Sequence, residues 1–200
     1  AQRRIVAEAD PRAIARLSRL DGSTALGRLH ALFALEQLGG LSRATWENGL
    51  ADEDARVRRA ALRVGESLLG ADEESIALAE ALLDDGDARV RLQAIHSLGN
   101  APLSPARLDR LLAIARRGEA IERQAVLSGL GGRVTKALDA ELGASGAAPV
   151  DERHAAWLGE LAGGLHREAQ LGDDTAADVA GLLDRIASGS DPIAIALLEG

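Results

Sequence analysis

The pentapeptide Asp-Ala-Arg-Val-Arg occurs twice in this chain, from Asp54 to Arg58 and again from Asp87 to Arg91. The copies lie 33 residues apart (87 minus 54). Each follows an apolar, acidic stretch and opens an alanine-rich helical pattern. A fixed period of that size marks stacked helical pairs, each too small to bury its own apolar face without the next. Such an array is read for its surfaces before any catalytic pocket is sought.

Two further copies are blurred. With Arg58 and Arg91 aligned to Arg28 upstream and Glu122 downstream, the spacings are 30, 33 and 31 residues (58 minus 28, 91 minus 58, 122 minus 91). Three positions on, every copy has alanine, at Ala31, Ala61, Ala94 and Ala125. The next position is aliphatic, as Leu32, Leu62, Ile95 and Val126. Small-then-aliphatic at a fixed place fits a helix packed closely against its neighbours in a stack.

Composition agrees. The apolar share is 46%, yet the aromatics are only Phe33, Trp46 and Trp157. A core of Ala, Leu, Ile and Val suits thin helical layers, and no period-two run of β-branched or aromatic residues supports strands. No apolar stretch approaches the ~18 residues needed to span a bilayer, so no membrane insertion is expected. Net charge is −8, from 31 acids against 23 bases. That balance disfavours nucleic acid, which asks for a basic stripe. Arg56, Arg58, Arg59 and Arg63 cluster, but Asp52, Glu53 and Asp54 precede them, and a solvated, internally paired face is expected. Without cysteine the chain has no disulfide, thiolate metal site or covalent haem attachment of its own. It starts at Ala1 and holds no methionine, which points to a processed or excised origin.

Proline after a capping residue at Asp10-Pro11, Ser104-Pro105 and Asp191-Pro192 marks helix starts, and glycines at 39–40, 70, 99 and 131–132 mark stops. The expected helices run near 2–8, 11–20, 25–38, 42–51, 55–69, 72–84, 88–98, 105–117, 120–130, 133–142, 151–169, 174–188 and 192–199. Short turns make consecutive helices antiparallel neighbours. The apolar end Pro192–Leu198 suggests further chain beyond it.

Asp-x-x-Val-Arg followed by an alanine-rich helix resembles the HEAT repeat family. The resemblance implies an all-α, right-handed α-solenoid of about five antiparallel helix pairs. Residues 1–200 then read as one domain: a lead-in or cap at 1–24, the best-supported repeats at 25–143, and divergent helices at 144–200. It also implies a ladder between adjacent repeats, formed by Asp54, Arg58, Asp87 and Arg91. More narrowly, the strings Arg28–Glu36 and Gln124–Ser128 resemble the helical segment of large bacterial haem-binding proteins of the planctomycete–verrucomicrobia type. Those proteins, often labelled membrane-bound dehydrogenases, join a β-propeller, a HEAT-like segment and a cytochrome c domain. That resemblance implies an extracytoplasmic spacer or docking segment between neighbouring domains of the same polypeptide. Without it, a cytoplasmic adaptor for a partner protein is expected.

Chemistry is sparse. The histidines at 30, 96, 154 and 166 are never three or four residues apart, so no metal site is expected. The acidic clusters at 52–54, 84–87 and 173–174 precede helices, where they cap the backbone and favour the dipole. No nucleophile motif or dinucleotide-binding glycine pattern is present, and no cofactor is expected. Trp46, beside Asn48, is the one named candidate for partner binding. The expected surface is the wall formed by the second helix of each pair (42–51, 72–84, 105–117, 133–142). The function expected is a non-catalytic scaffold, ahead of a HEAT-like lyase or glycosylase.

Overall fold

Helices begin where a side chain can accept the first free backbone amides. In the computed structural model, which describes residues 11–19, 24–70, 72–143, 150–169 and 184, these starts fall at Thr24, Ser42, Asp54, Asp72, Asp87 and Ser104. Each side chain accepts from an N–H two or three residues on, at 2.7 to 3.3 Å. At Glu119 the cap is reciprocal, its own N–H donating to Glu122 at 3.1 Å.

The resulting helices are α1 (Pro11–Leu17), α2 (Ala25–Gln37), α3 (Arg43–Leu50), α4 (Ala55–Val64), α5 (Glu73–Ala81), α6 (Ala88–Gly99), α7 (Pro105–Arg117), α8 (Ala120–Leu130), α9 (Val134–Gly143) and α10 (Glu152–Ala169). A 3₁₀ turn, Leu82–Asp84, extends α5. No strand occurs among the described residues, and the all-α class expected from the repeat is what the chain adopts. Three expected stretches, 2–8, 174–188 (apart from residue 184) and 192–199, lie outside the described residues. So do residues 144–149.

The chain divides into two units, Ala1–Pro102 and Leu103–Gly200. In the first, α4 packs between α2 and α6, while α3 and α5 back α4 and α6. The alanine and aliphatic columns are this core: Ala31, Leu32, Ala61, Leu62, Ala94 and Ile95 are all buried. Gly49 lets α3 approach α4, since a Cβ there would lie 2.9 Å from the Ala61 methyl. In the second unit α7 contacts α8, α9 and α10 around Leu111, Leu112, Leu138, Trp157 and Leu158.

Among the described residues most boundaries fall within a residue of expectation, but two helices stop early. That expected over 11–20 ends at Leu17. The helix expected over 55–69 ends at Val64, because Gly65 closes it and faces the indole of Trp46.

Candidate functional site

Carboxylate pairing decides which cations of the chain remain available. Arg28 grips Asp52 with two hydrogen bonds, Nε to Oδ2 at 2.6 Å and Nη2 to Oδ1 at 2.8 Å. Arg58 grips Asp85 in the same way, both at 2.8 Å. Arg58 also donates to the carbonyls of Asp52 and Glu53 at 2.9 and 3.0 Å, tying its own loop to the next. Arg91 repeats that backbone contact on Asp85 O at 3.0 Å.

The ladder is therefore placed differently from the expectation at Asp54, Arg58, Asp87 and Arg91. Its carboxylates are Asp52 and Asp85, two residues earlier. Asp54 and Asp87 are occupied as caps, accepting from the Arg56 and Arg89 N–H groups at 2.9 and 2.8 Å. The fourth arginine is corrected too. Each first helix carries arginine four residues after its cap: Arg28 after Thr24, Arg58 after Asp54, Arg91 after Asp87 and Arg123 after Glu119. Glu122 belongs to the capping box, and Arg123 takes the rung, donating to Glu160 at 2.9 Å and to Gly118 O at 3.1 Å.

The Arg28 hydrogen bonds hold the Asp52 carboxyl below its usual range, against a smaller opposing effect of burial. Arg58 does the same to Asp85. The unfolded chain consequently binds protons that the folded chain refuses. This contribution is complete above the ordinary aspartate value of about 4 and is lost as pH falls through the depressed folded values. Asp85→Asn is expected to lower stability at neutral pH by about 1–2 kcal/mol, discounted for partial solvent screening. It should also flatten the loss below about pH 4. Urea midpoints across that range check this, and parallel curves for the two proteins would remove Asp85 from the acid response.

Trp46 is not a partner-binding anchor. Its ring is fully buried and its Nε1 donates to Ala61 O at 3.0 Å. Trp157 is buried as well, donating to Glu141 Oε1 at 2.9 Å. Glu141 also accepts from Arg116 Nε at 2.9 Å, and its Oε2 lies 3.3 Å from His154 Nε2. Sequence reasoning missed this cluster, because its members come from three helices. Among the described residues no three His, Cys, Asp or Glu side chains gather as a metal site would require. The side chain of His166 and the pair at 173–174 lie outside them.

A groove of about 600 Å³ crosses α2, α4 and α6 in the first unit. Its walls come from one stripe of each helix, at equivalent repeat positions: Leu29, Arg59 and Leu92, then Phe33, Arg63 and His96. Arg56 and Arg89 stand at the helix-start end, and the small Ala60 of the middle helix forms the notch. The surface expected on the second helices, 42–51 and 72–84 in this unit, does not line this groove. It lies on the first helices instead, since these stack side by side and the middle one presents alanine between longer neighbours.

Arg56 is engaged by Asp54 at 2.7 Å. Arg59, Arg63 and Arg89 are exposed, and among the described residues their guanidinium groups have no partner. The expected internally paired face thus holds for Arg56 and Arg58 and fails for Arg59 and Arg63.

Residues 43–131, from α3 to the end of α8, match the family model of HEAT repeats. The match supports the HEAT-repeat family, whose helical-pair architecture the fold shares. No curated protein matches the chain. No helix among the described residues is long and apolar enough to cross a membrane.

Proposed function

We propose that this chain is a non-catalytic protein-interaction scaffold, and that its first unit holds a partner polypeptide along α2, α4 and α6. The groove carries this reading. It joins apolar side chains (Leu29, Phe33, Leu92) to unpaired cations, the mixture that polypeptide recognition uses. The repeat-family match agrees, since HEAT repeats generally mediate protein interactions. That residues 1–200 act as one repeat domain is part of the proposal, supported by columns that run from Ala31 to Ala125.

A photo-crosslinking amino acid at Phe33, introduced in the source cells, is expected to capture a polypeptide. The same group at the exposed Ala77 of α5 should capture it far less. Absence of any captured polypeptide from either position sinks the scaffold reading.

The strings at 28–36 and 124–128 support a finer reading, in which the chain is the extracytoplasmic middle segment of a larger haem-binding protein. Four residues of the first string (Ala31, Leu32, Ala34, Leu35) are buried, so helix packing accounts for part of that likeness. A native product far above 20.8 kDa that stains for covalent haem is the expected result on a denaturing gel. A haem-free product near that mass would leave a free-standing adaptor.

A further inference from the structure

We infer that the occupant of the groove is an acidic peptide segment, its carboxylates on Arg59, Arg63 and Arg89 and an interleaved apolar side chain against Leu29, Phe33 and Leu92. This rests on the scaffold reading and adds the chemistry of the partner.

The chain has more acids than bases, 31 against 23. Many of its arginines are spent on carboxylates, among them Arg28 on Asp52, Arg43 on Glu47, Arg58 on Asp85, Arg116 on Glu141 and Arg123 on Glu160. Among the described residues, Arg59, Arg63 and Arg89 have no such partner, and all three lie on one groove. The carboxylates nearest in sequence are engaged elsewhere. Asp54 and Asp87 are turned to the backbone N–H groups that start α4 and α6, and Glu66 accepts from Ser97 at 3.1 Å and from Gln93 at 3.4 Å. Arg63, in the last turn of α4, could be explained by the helix dipole alone. Arg59, in mid-helix, and Arg89, at a helix start where the dipole disfavours a cation, could not.

Spacing then selects the class of anion. Arg59 and Arg63 lie four residues apart, one helical turn, and Leu29 with Phe33 repeats that spacing on the neighbouring helix. A cationic row thus runs beside an apolar row, which an extended peptide with alternating acidic and apolar side chains satisfies on both sides. A nucleic-acid strand fits less well. The turns that start α4 and α6 hold Asp52, Glu53, Asp54, Asp84, Asp85 and Asp87, only partly neutralised by Arg28, Arg56 and Arg58, and these disfavour a long polyanion that continues past the arginines.

The test uses the full chain and a short fluorescein-labelled peptide of alternating glutamate and leucine, read by anisotropy. The acidic peptide is expected to bind. Its glutamine counterpart should bind about tenfold more weakly or worse, and raising salt from about 0.05 to about 0.5 M should loosen the complex. Arg59→Glu with Arg63→Glu should weaken binding about tenfold or more, with the thermal melt unchanged because both side chains are exposed. Arg59→Gln with Arg63→Gln gives a milder loss should the charge reversal disturb the fold, and Arg117→Glu, outside the groove, should leave binding intact. No binding of the acidic peptide, equal binding of the glutamine peptide, equal binding by the charge-reversed protein, or tighter binding of a single-stranded oligonucleotide would each overturn the proposal. The two readings fail separately. A polypeptide still captured at Phe33 in the charge-reversed protein removes the acidic occupant and leaves the scaffold standing.

Discussion

Replacing Gly65 with alanine is expected to destabilise the first unit by about 3 kcal/mol, a large effect for one added methyl group. A Cβ at this position would overlap Nε1 of Trp46 and lie 2.6 Å from its Cε2. The indole cannot yield, because it is fully buried among packed neighbours. Nor can it rotate without loss, since Nε1 donates to Ala61 O at 3.0 Å, the carbonyl that also accepts from the Gly65 N–H at 3.0 Å. Overpacking and an orphaned buried N–H therefore add. Gly86→Ala is the control. Nothing lies within 4 Å of its added Cβ, and its effect should stay within about 0.5 kcal/mol. Trp46→Phe should recover part of the loss when combined with Gly65→Ala, because it removes the atom that the methyl group meets. Urea titrations of the four proteins measure this, and equal midpoints for Gly65→Ala and Gly86→Ala would refute the account.

Glu141→Ala is expected to cost the second unit about 3 kcal/mol. The Glu141 side chain is fully buried and holds the Trp157 indole N–H at 2.9 Å, the Arg116 guanidinium at 2.9 Å and His154 at 3.3 Å. Truncation leaves the tryptophan N–H buried without an acceptor, leaves Arg116 without its counter-charge, and opens a cavity. Glu141→Gln keeps a carbonyl oxygen for the indole and fills the space, so its cost should be smaller, about 1 kcal/mol. Thermal melts followed by circular dichroism test the order. An alanine variant no worse than the glutamine variant would mean that the buried cluster contributes little.

Some of this molecule was legible residue by residue. Caps act within three residues, so Asp54, Asp87 and Ser104-Pro105 announce their helices directly. The alanine and aliphatic columns announce a buried contact because burial in a stack repeats with the helix. The ladder was half legible. Two aspartates precede each pentapeptide helix, Asp52 and Asp54, then Asp85 and Asp87, and local chemistry suits either one to cap. The nearer residue bonds the first amides, which leaves the farther one to reach the arginine of the preceding repeat. The fourth arginine was missed because the alignment followed the Ala125 and Val126 columns, three and four residues after Glu122, whereas Arg123, which takes the rung, stands one residue later.

Sequence alone determined the helical class, the period, most helix starts and the arginine–aspartate type of the rungs around the two pentapeptides, since these follow from local hydrogen bonding and from periodicity. Tertiary structure alone decided which carboxylate each arginine holds, that Trp46 turns inward onto Gly65, that Glu141 collects side chains from two other helices, and that the groove lies on the first helices. Those outcomes depend on which faces meet across 24 residues of chain, as for Arg28 and Asp52. No local preference specifies such a pairing, because it is settled only when the helices stack.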